Sequence, residues 1–176
     1  QDLIDKYFPV LDHGFVALKD YMGSDSAICE AARVSYAKGT KKKSDDRNLI
    51  RYLIRKSHFS PLEMVSLKFH VRLPIFVARQ WIRHRTAKVN EISLRYSEAE
   101  DLFYLPEKLR LQSKKNKQGS ENIVGDELWH DCWVNDFEKV NTHCYTLYKD
   151  LLNVGTAREL ARIVLPVNLY TSWYWK

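Results

Sequence analysis

Two periodicities of hydrophobic and polar positions alternate along the chain. The clearest is a period of two, in which Val65, Leu67, Phe69, Val71 and Leu73 are interleaved with Ser66, Lys68, His70 and Arg72. That pattern predicts a strand with one buried face. Phe15 to Met22 is short and apolar-rich and predicts another strand, stopped by the turn signal Gly23-Ser24. Helical spacing follows. Ser24 and Asp25 read as an N-cap and a negative first turn, and Ala27, Ile28, Ala31 and Ala32 carry a helix to about Tyr36. Ser44, Asp45 and Asp46 open a second helix, with Leu49, Ile50, Leu53 and Ile54 on one face and an end near Lys56. Pro61 then breaks the pattern within SHFSPLE, because the residue before a proline is pushed out of the helical region. Pro74 suits a helix start, where no N–H is needed, and IFVARQWIRHR is apolar nearly all round. A mostly buried helix is expected, with Arg83, His84 and Arg85 in its last turn.

In the second half, Leu102 to Leu105 before Pro106 reads as a short strand and stop, and residues 112–125 are polar enough for a mobile loop. Trp129, Trp133, Phe137, Val140, Cys144, Leu147 and Leu151 recur at steps of three or four between Asp126 and Asn153. They predict a long helix whose apolar stripe meets the core or a second subunit. Gly155 ends it, and Thr156 with Glu159 forms a capping box for a helix over ARELARIVL, with Arg158 and Arg162 on one cationic edge. The closing VNLYTSWYWK fits either a strand or the start of a buried helix. Together the elements predict an α+β fold, helices mixed with sheet, in a single domain over residues 1–176.

Composition adds limits. A chain of 176 residues with 45% hydrophobic positions can bury a substantial core, and no apolar run is long enough to span a bilayer. Cys29, Cys132 and Cys144 are odd in number and lack Cys-x-x-Cys spacing, and the chain opens without a signal-type segment. The cytoplasm is the expected compartment, with no membrane partner. A net charge of +6 implies an anionic partner, whether nucleic acid, a membrane surface or a phosphorylated metabolite. The lysines at 38 and 41–43, and those at 114, 115 and 117, lie among Gly, Ser and Thr without aromatic interleaving. They read as solvated loops and not as a nucleic-acid surface. His58 and Glu63 have no further ligand to make a metal site, Ser93 has no Gly-x-Ser-x-Gly elbow, and the six glycines are scattered. Any dinucleotide must therefore be held by side chains.

The densest polar chemistry is RHRTAKVNEISLRYS, from Arg83 to Ser97. Fixed cations beside an imidazole suit phosphate groups held against a reactive ring. Arginines could merely cap a helix C-terminus. Gln80, three and four residues from Arg83 and His84, places them instead on one donor-rich face expected to meet a ligand.

RHRTAKVNEIS resembles the signature of the flavin-dependent thymidylate synthases, in which Arg-His-Arg is followed after seven residues by Ser. SYAKG, HFSPLE, FHVRLPIFVARQWIRHR, RYSE and ARELARIVLPVNLYTSWYWK are similar to that family in its own order, so the resemblance covers nearly the whole chain. It implies conversion of dUMP to dTMP, with methylenetetrahydrofolate as carbon donor and FAD, reduced by NADPH, as hydride carrier. It also implies a homotetramer with active sites shared between subunits, small-molecule partners and no nucleic acid. Carried over to this chain, Gln80, Trp81, Ile82, Arg83, Glu91, Ile92, Ser93, Leu94, Arg95 and Arg162 would bind dUMP. His58 and Ser60, from a neighbouring subunit, with Arg83, His84, Arg85 and Glu91 would contact FAD. Ser93 is expected to bind substrate and not to attack it, so the resemblance assigns no catalytic nucleophile within the chain. Lys88 departs from the small residue common in the family. The chain stops at Lys176, before the family segment with further flavin contacts and a late Arg, which leads us to expect a longer natural protein.

Overall fold

The computed structural model describes residues 3–34, 46–125 and 127–176. Seven strands and five helices follow in the order β1 (Tyr7–Val10), β2 (Gly14–Met22), α1 (Asp25–Val34), α2 (Asp46–Arg55), β3 (Ser66–Pro74), α3 (Ile75–Trp81), β4 (Val89–Glu91), β5 (Arg110–Gln112), β6 (Ser120–Ile123), α4 (Glu127–Asn153), α5 (Arg158–Ala161) and β7 (Tyr170–Trp175). Two 3₁₀ turns, Ser60–Met64 and Arg162–Val164, interrupt the connections.

Strands β1, β2, β3, β7 and β4 form one sheet in that order, each neighbouring pair antiparallel. This is a mixed helix and sheet fold with no parallel doubly wound core. The alternation in β3 produces its buried face as expected: Val71 and Leu73 pack with Ala78 of α3 and Trp173 of β7. The register sets Val71 opposite Trp173 and Leu73 opposite Thr171. The ambiguous terminal segment is thus a strand, and an internal one, flanked by β3 and β4. Its aromatic, β-branched composition suits a pleated surface buried by neighbours.

A second core cluster, Ala99, Phe103, Tyr148, Ala161 and Leu169, ties α4 and α5 to the loops beside the sheet. Asp12, at the β1–β2 turn, fastens the edge of the same region. Its carboxylate accepts the Leu105 and His13 N–H groups and the Tyr170 hydroxyl. Burial opposes its charge, yet these bonds hold its carboxyl below the usual range.

Several expectations need correction. Residues 112–125, read as a loop, contain β6 and the end of β5, which pair as a hairpin. Leu102 to Leu105 makes only an isolated bridge, Phe103 to Leu169, because its backbone bonds go to the Asn168–Tyr170 segment. On α4 the apolar stripe, expected to meet the core or a second subunit, divides: Trp133, Phe137, Val140 and Leu147 are exposed, whereas Leu151 packs on the core with the buried Asn141 and Tyr148 and the half-buried Tyr145 and Leu152. The inner face is therefore the partly polar one, since tyrosine hydroxyls there find backbone partners. ARELARIVL does not form one helix: α5 closes at Ala161 and a 3₁₀ turn follows. Ala157 caps α5 without a side-chain bond, so the expected Thr156/Glu159 capping box is absent. Residues 35–45, with SYAKG, the first lysine cluster and the expected start at Ser44, lie outside the described residues.

Candidate active site

Three elements converge beside Leu169. Pro74 caps α3 in an extended conformation, and the first helical N–H groups, those of Ile75 and Phe76, bond to the Leu169 and Val167 carbonyls at 2.9 Å each. Helix-start donors that lack intrahelical partners are thereby satisfied, and α3 is locked to the chain leading into β7. From the other side, β4 pairs with β7, and the Ile92 N–H extends that pairing to the Ser172 carbonyl at 2.9 Å. The segment after β4 then turns on itself, with Tyr96 and Ser97 N–H groups bonding to the Ser93 carbonyl and the Arg95 N–H to Ser93 Oγ at 3.3 Å. Its far end is clamped to α4: the Ala99 N–H donates to Tyr148 Oη at 3.0 Å, and Tyr145 Oη donates to the Ala99 carbonyl at 3.1 Å.

Between these elements lies a cavity of ≈ 820 Å³. Ile75, Leu94, Leu165 and Leu169 form its apolar floor, and Arg79, Glu91, Ser93, Glu159, Arg162 and Thr171 supply its polar groups. The volume is within the range of small-molecule sites, which combine an apolar lining with a few placed polar groups. Among the described residues, neither Arg79 nor Arg162 has a carboxylate within ion-pair distance, and Arg162 is half-buried. Cations so placed are suited to a phosphate. Glu91 is held by Thr171, whose Oγ1 donates to Oε1 at 2.6 Å. At the rim Arg95 pairs with Glu159 at 3.4 Å.

The expected site residues thus divide. Glu91, Ile92, Ser93, Leu94 and Arg162 line the cavity together, and Arg95 stands at its rim. Arg158 and Arg162 do not form one cationic edge, because Arg158 faces Glu98 at 4.0 Å whereas Arg162 turns into the cavity. Gln80, Ile82, Arg83, His84 and Arg85 are exposed and lie outside the lining. Trp81 packs edge-on to Trp173, centroids 5.8 Å apart, within the sheet core.

The Arg-His-Arg cluster is also not in a helical turn. Helix α3 stops at Trp81, Arg83 and His84 N–H groups make short-range bonds to Gln80 and Trp81 carbonyls, and the loop closes where Lys88 and Lys176 exchange backbone bonds at 2.8 and 2.9 Å. The helix must stop so that β4 can reach β7, and Gln80, Arg83 and His84 therefore do not share one helical face. Arg83, His84 and Arg85 remain exposed, without a carboxylate partner among the described residues. As a donor set they fit an anionic, phosphate-bearing cofactor such as FAD. Ser60 opens the 3₁₀ turn packed against α1, and His58, two residues earlier, bonds through its N–H to the Leu53 carbonyl at the end of α2.

Three polar lining residues escaped the sequence reading. Arg79 precedes Gln80 within a stretch read as buried. Glu159 was assigned to a cap. Thr171 lay in the segment whose element was undecided, although its spacing from Trp173 and Trp175 shows one face of a strand. Among the described residues no group of three or more His, Cys, Asp or Glu side chains could hold a metal ion, and no helix is long and apolar enough to cross a membrane.

Known proteins resemble this chain in sequence and in fold. The family described as thymidylate synthase complementing protein matches residues 17–176. A flavin-dependent thymidylate synthase of Thermus thermophilus is 57% identical over 168 residues, covering 96% of this chain and 61% of that protein. The enzyme of the same name from Gluconobacter oxydans is 51% identical over 181 residues, covering 100% of this chain and 59% of its own length. The chain therefore spans about three-fifths of these relatives. Among solved structures, the UMP/dUMP methylase PolB from Streptomyces cacaoi bound with 5-Br UMP superposes with a TM-score of 0.80 at 39% identity, covering 94% of this chain and 71% of that one. Its complex with 5-Br dUMP gives 0.81 at 37% identity, covering 94% and 73%. On the match across residues 17–176, the chain belongs to the thymidylate synthase complementing protein family, which includes the flavin-dependent thymidylate synthases.

Proposed function

We propose that the protein containing this chain methylates dUMP reductively to dTMP, with methylenetetrahydrofolate as carbon donor and NADPH as the source of electrons. One observation carries the reading: two arginines without carboxylate partners among the described residues, two carboxylates and two hydroxyls face one ≈ 820 Å³ cavity that the end of the signature segment, Glu91 to Ser93, helps to line. Arg162 and Arg79 suit the nucleotide phosphate, and Glu91 suits a ring N–H or a sugar hydroxyl as acceptor. Ser93 serves as a binding residue: its Oγ accepts the Arg95 N–H, and its hydroxyl proton is still available to a ligand. The likeness to a methylase bound with bromo-uracil nucleotides supports a uracil ring as the occupant.

A carbon that enters as methylene and leaves as methyl needs two further electrons, and FAD, when bound, supplies them as hydride. Arg83, His84 and Arg85, with Glu91, would hold FAD; His58 and Ser60 would reach the flavin from a neighbouring subunit. The exposed apolar stripe of α4 supports self-association, here as a homotetramer working in the cytoplasm. The test is incubation of the full-length protein with dUMP, methylenetetrahydrofolate, FAD and NADPH, followed by chromatography of the nucleotides. We expect dTMP, with NADPH oxidised faster when dUMP is present. Absence of dTMP with flavin demonstrably bound would overturn the proposal.

A further inference from the structure

We infer that Thr171 is a positioning residue for Glu91, holding that carboxylate in the orientation the nucleotide needs. The inference rests on reading the cavity as a uracil-nucleotide site. Its basis is the register of β4 on β7. Glu91 lies opposite Trp173, so Thr171, two residues earlier on β7, is its diagonal neighbour on the same face. A diagonal pair is within reach of a side chain as long as glutamate. The bond is short, 2.6 Å from Thr171 Oγ1 to Glu91 Oε1, as expected when a hydroxyl meets a charged acceptor.

The two ends of this bond differ in freedom. Thr171 is only 7% exposed, sits opposite Leu73 on an internal strand, and carries a β-branched side chain with few rotamers. Glu91 is exposed, ends an edge strand of three residues, and among the described residues has no other hydrogen bond or ion pair. The fixed partner therefore orients the loose one. With Oε1 engaged, the other oxygen is the acceptor left for a ligand. The hydroxyl has a second effect: Arg79 and Arg162 line the same cavity, and a released carboxylate would turn toward them and compete with a ligand phosphate.

Thr171→Val keeps the shape and removes the donor, and Thr171→Ser restores it. Calorimetric titration of dUMP into the full-length protein should show Thr171→Val weakening affinity about tenfold, the scale of a lost charge-assisted bond. Thr171→Ser should bind within about twofold of wild type, since the donor is back. In a Glu91→Ala background Thr171→Val should add nothing, because its partner is gone. Wild-type affinity in Thr171→Val, despite a loss in Glu91→Ala, overturns this inference alone. An undiminished penalty in the double variant also overturns it, by showing that Thr171 serves only the packing of β7. Wild-type affinity in Glu91→Ala overturns both the inference and the reading of the cavity.

Discussion

Tyr148→Phe tests how the site segment is held. Tyr148 is fully buried, and its hydroxyl accepts the Ala99 N–H at 3.0 Å, at the far end of the segment that begins with Glu91. The substitution leaves the ring in place, so no apolar burial is lost. What is lost is the only acceptor described for an N–H on a residue 5% exposed. A buried donor left unpaired costs about 1–3 kcal/mol. Tyr145→Phe is the comparison: it strands the Ala99 carbonyl, which tolerates under-satisfaction better than an N–H, and should cost less. Urea unfolding of the full-length protein reads both as a fall in midpoint at unchanged slope. The looser segment should also weaken dUMP binding in Tyr148→Phe. A stability loss below about 0.5 kcal/mol, the scale of an ordinary surface substitution, would refute the clamp.

Three further outcomes follow from the same structure. Gly14→Ala should destabilise by about 1–3 kcal/mol in thermal melts, as overpacking does; a Cβ there would lie 2.6 Å from the Val10 carbonyl oxygen and 3.1 Å from that of Arg72. His70, bonded to Ser172 Oγ at 2.7 Å, is held below its ordinary pKa by burial and then by the charges of Lys19 and Arg72. It is neutral when folded and protonates first when unfolded, so its contribution is complete above about pH 6.5 and is lost as pH falls through the lower folded value. His70→Gln should flatten that acid-side fall in unfolding curves measured across this window; an unchanged slope would contradict it. Phe137→Glu, on the exposed stripe of α4, should yield smaller species by sedimentation, and an unchanged mass would show that this face meets no subunit.

Legibility in the sequence followed the range of the interactions. Elements whose pattern is local were readable: the alternation in β3, the acidic start of α1 and the long span of α4 each carry their own periodicity. What failed depended on distant partners. The stop of α3 at Trp81 is dictated by β4 having to reach β7, more than eighty residues further along the chain. Position 171 could not be assigned until its strand was known to pair with both β3 and β4. The stripe on α4 was legible as apolar, but not which part of it meets the core, because the inner face mixes leucines with tyrosines whose hydroxyls are satisfied by the distant loop at Ala99. For the site, the signature segment drew attention to a loop whose end, Glu91 to Ser93, lines the cavity. The structure then separated its residues into those lining the cavity and those exposed beside it.

If a uracil nucleotide occupies this cavity, Arg79 and Arg162 are the groups that meet its phosphate. Titration of dUMP into full-length wild-type and Arg162→Ala protein tests it most directly, with Arg47→Ala on α2 as a control remote from the lining. We expect saturable binding that Arg162→Ala weakens by about ten- to a hundredfold, the scale of a lost charge-assisted contact, while the control is unaffected. Equal affinity in wild type and Arg162→Ala, or no binding by either, would contradict it.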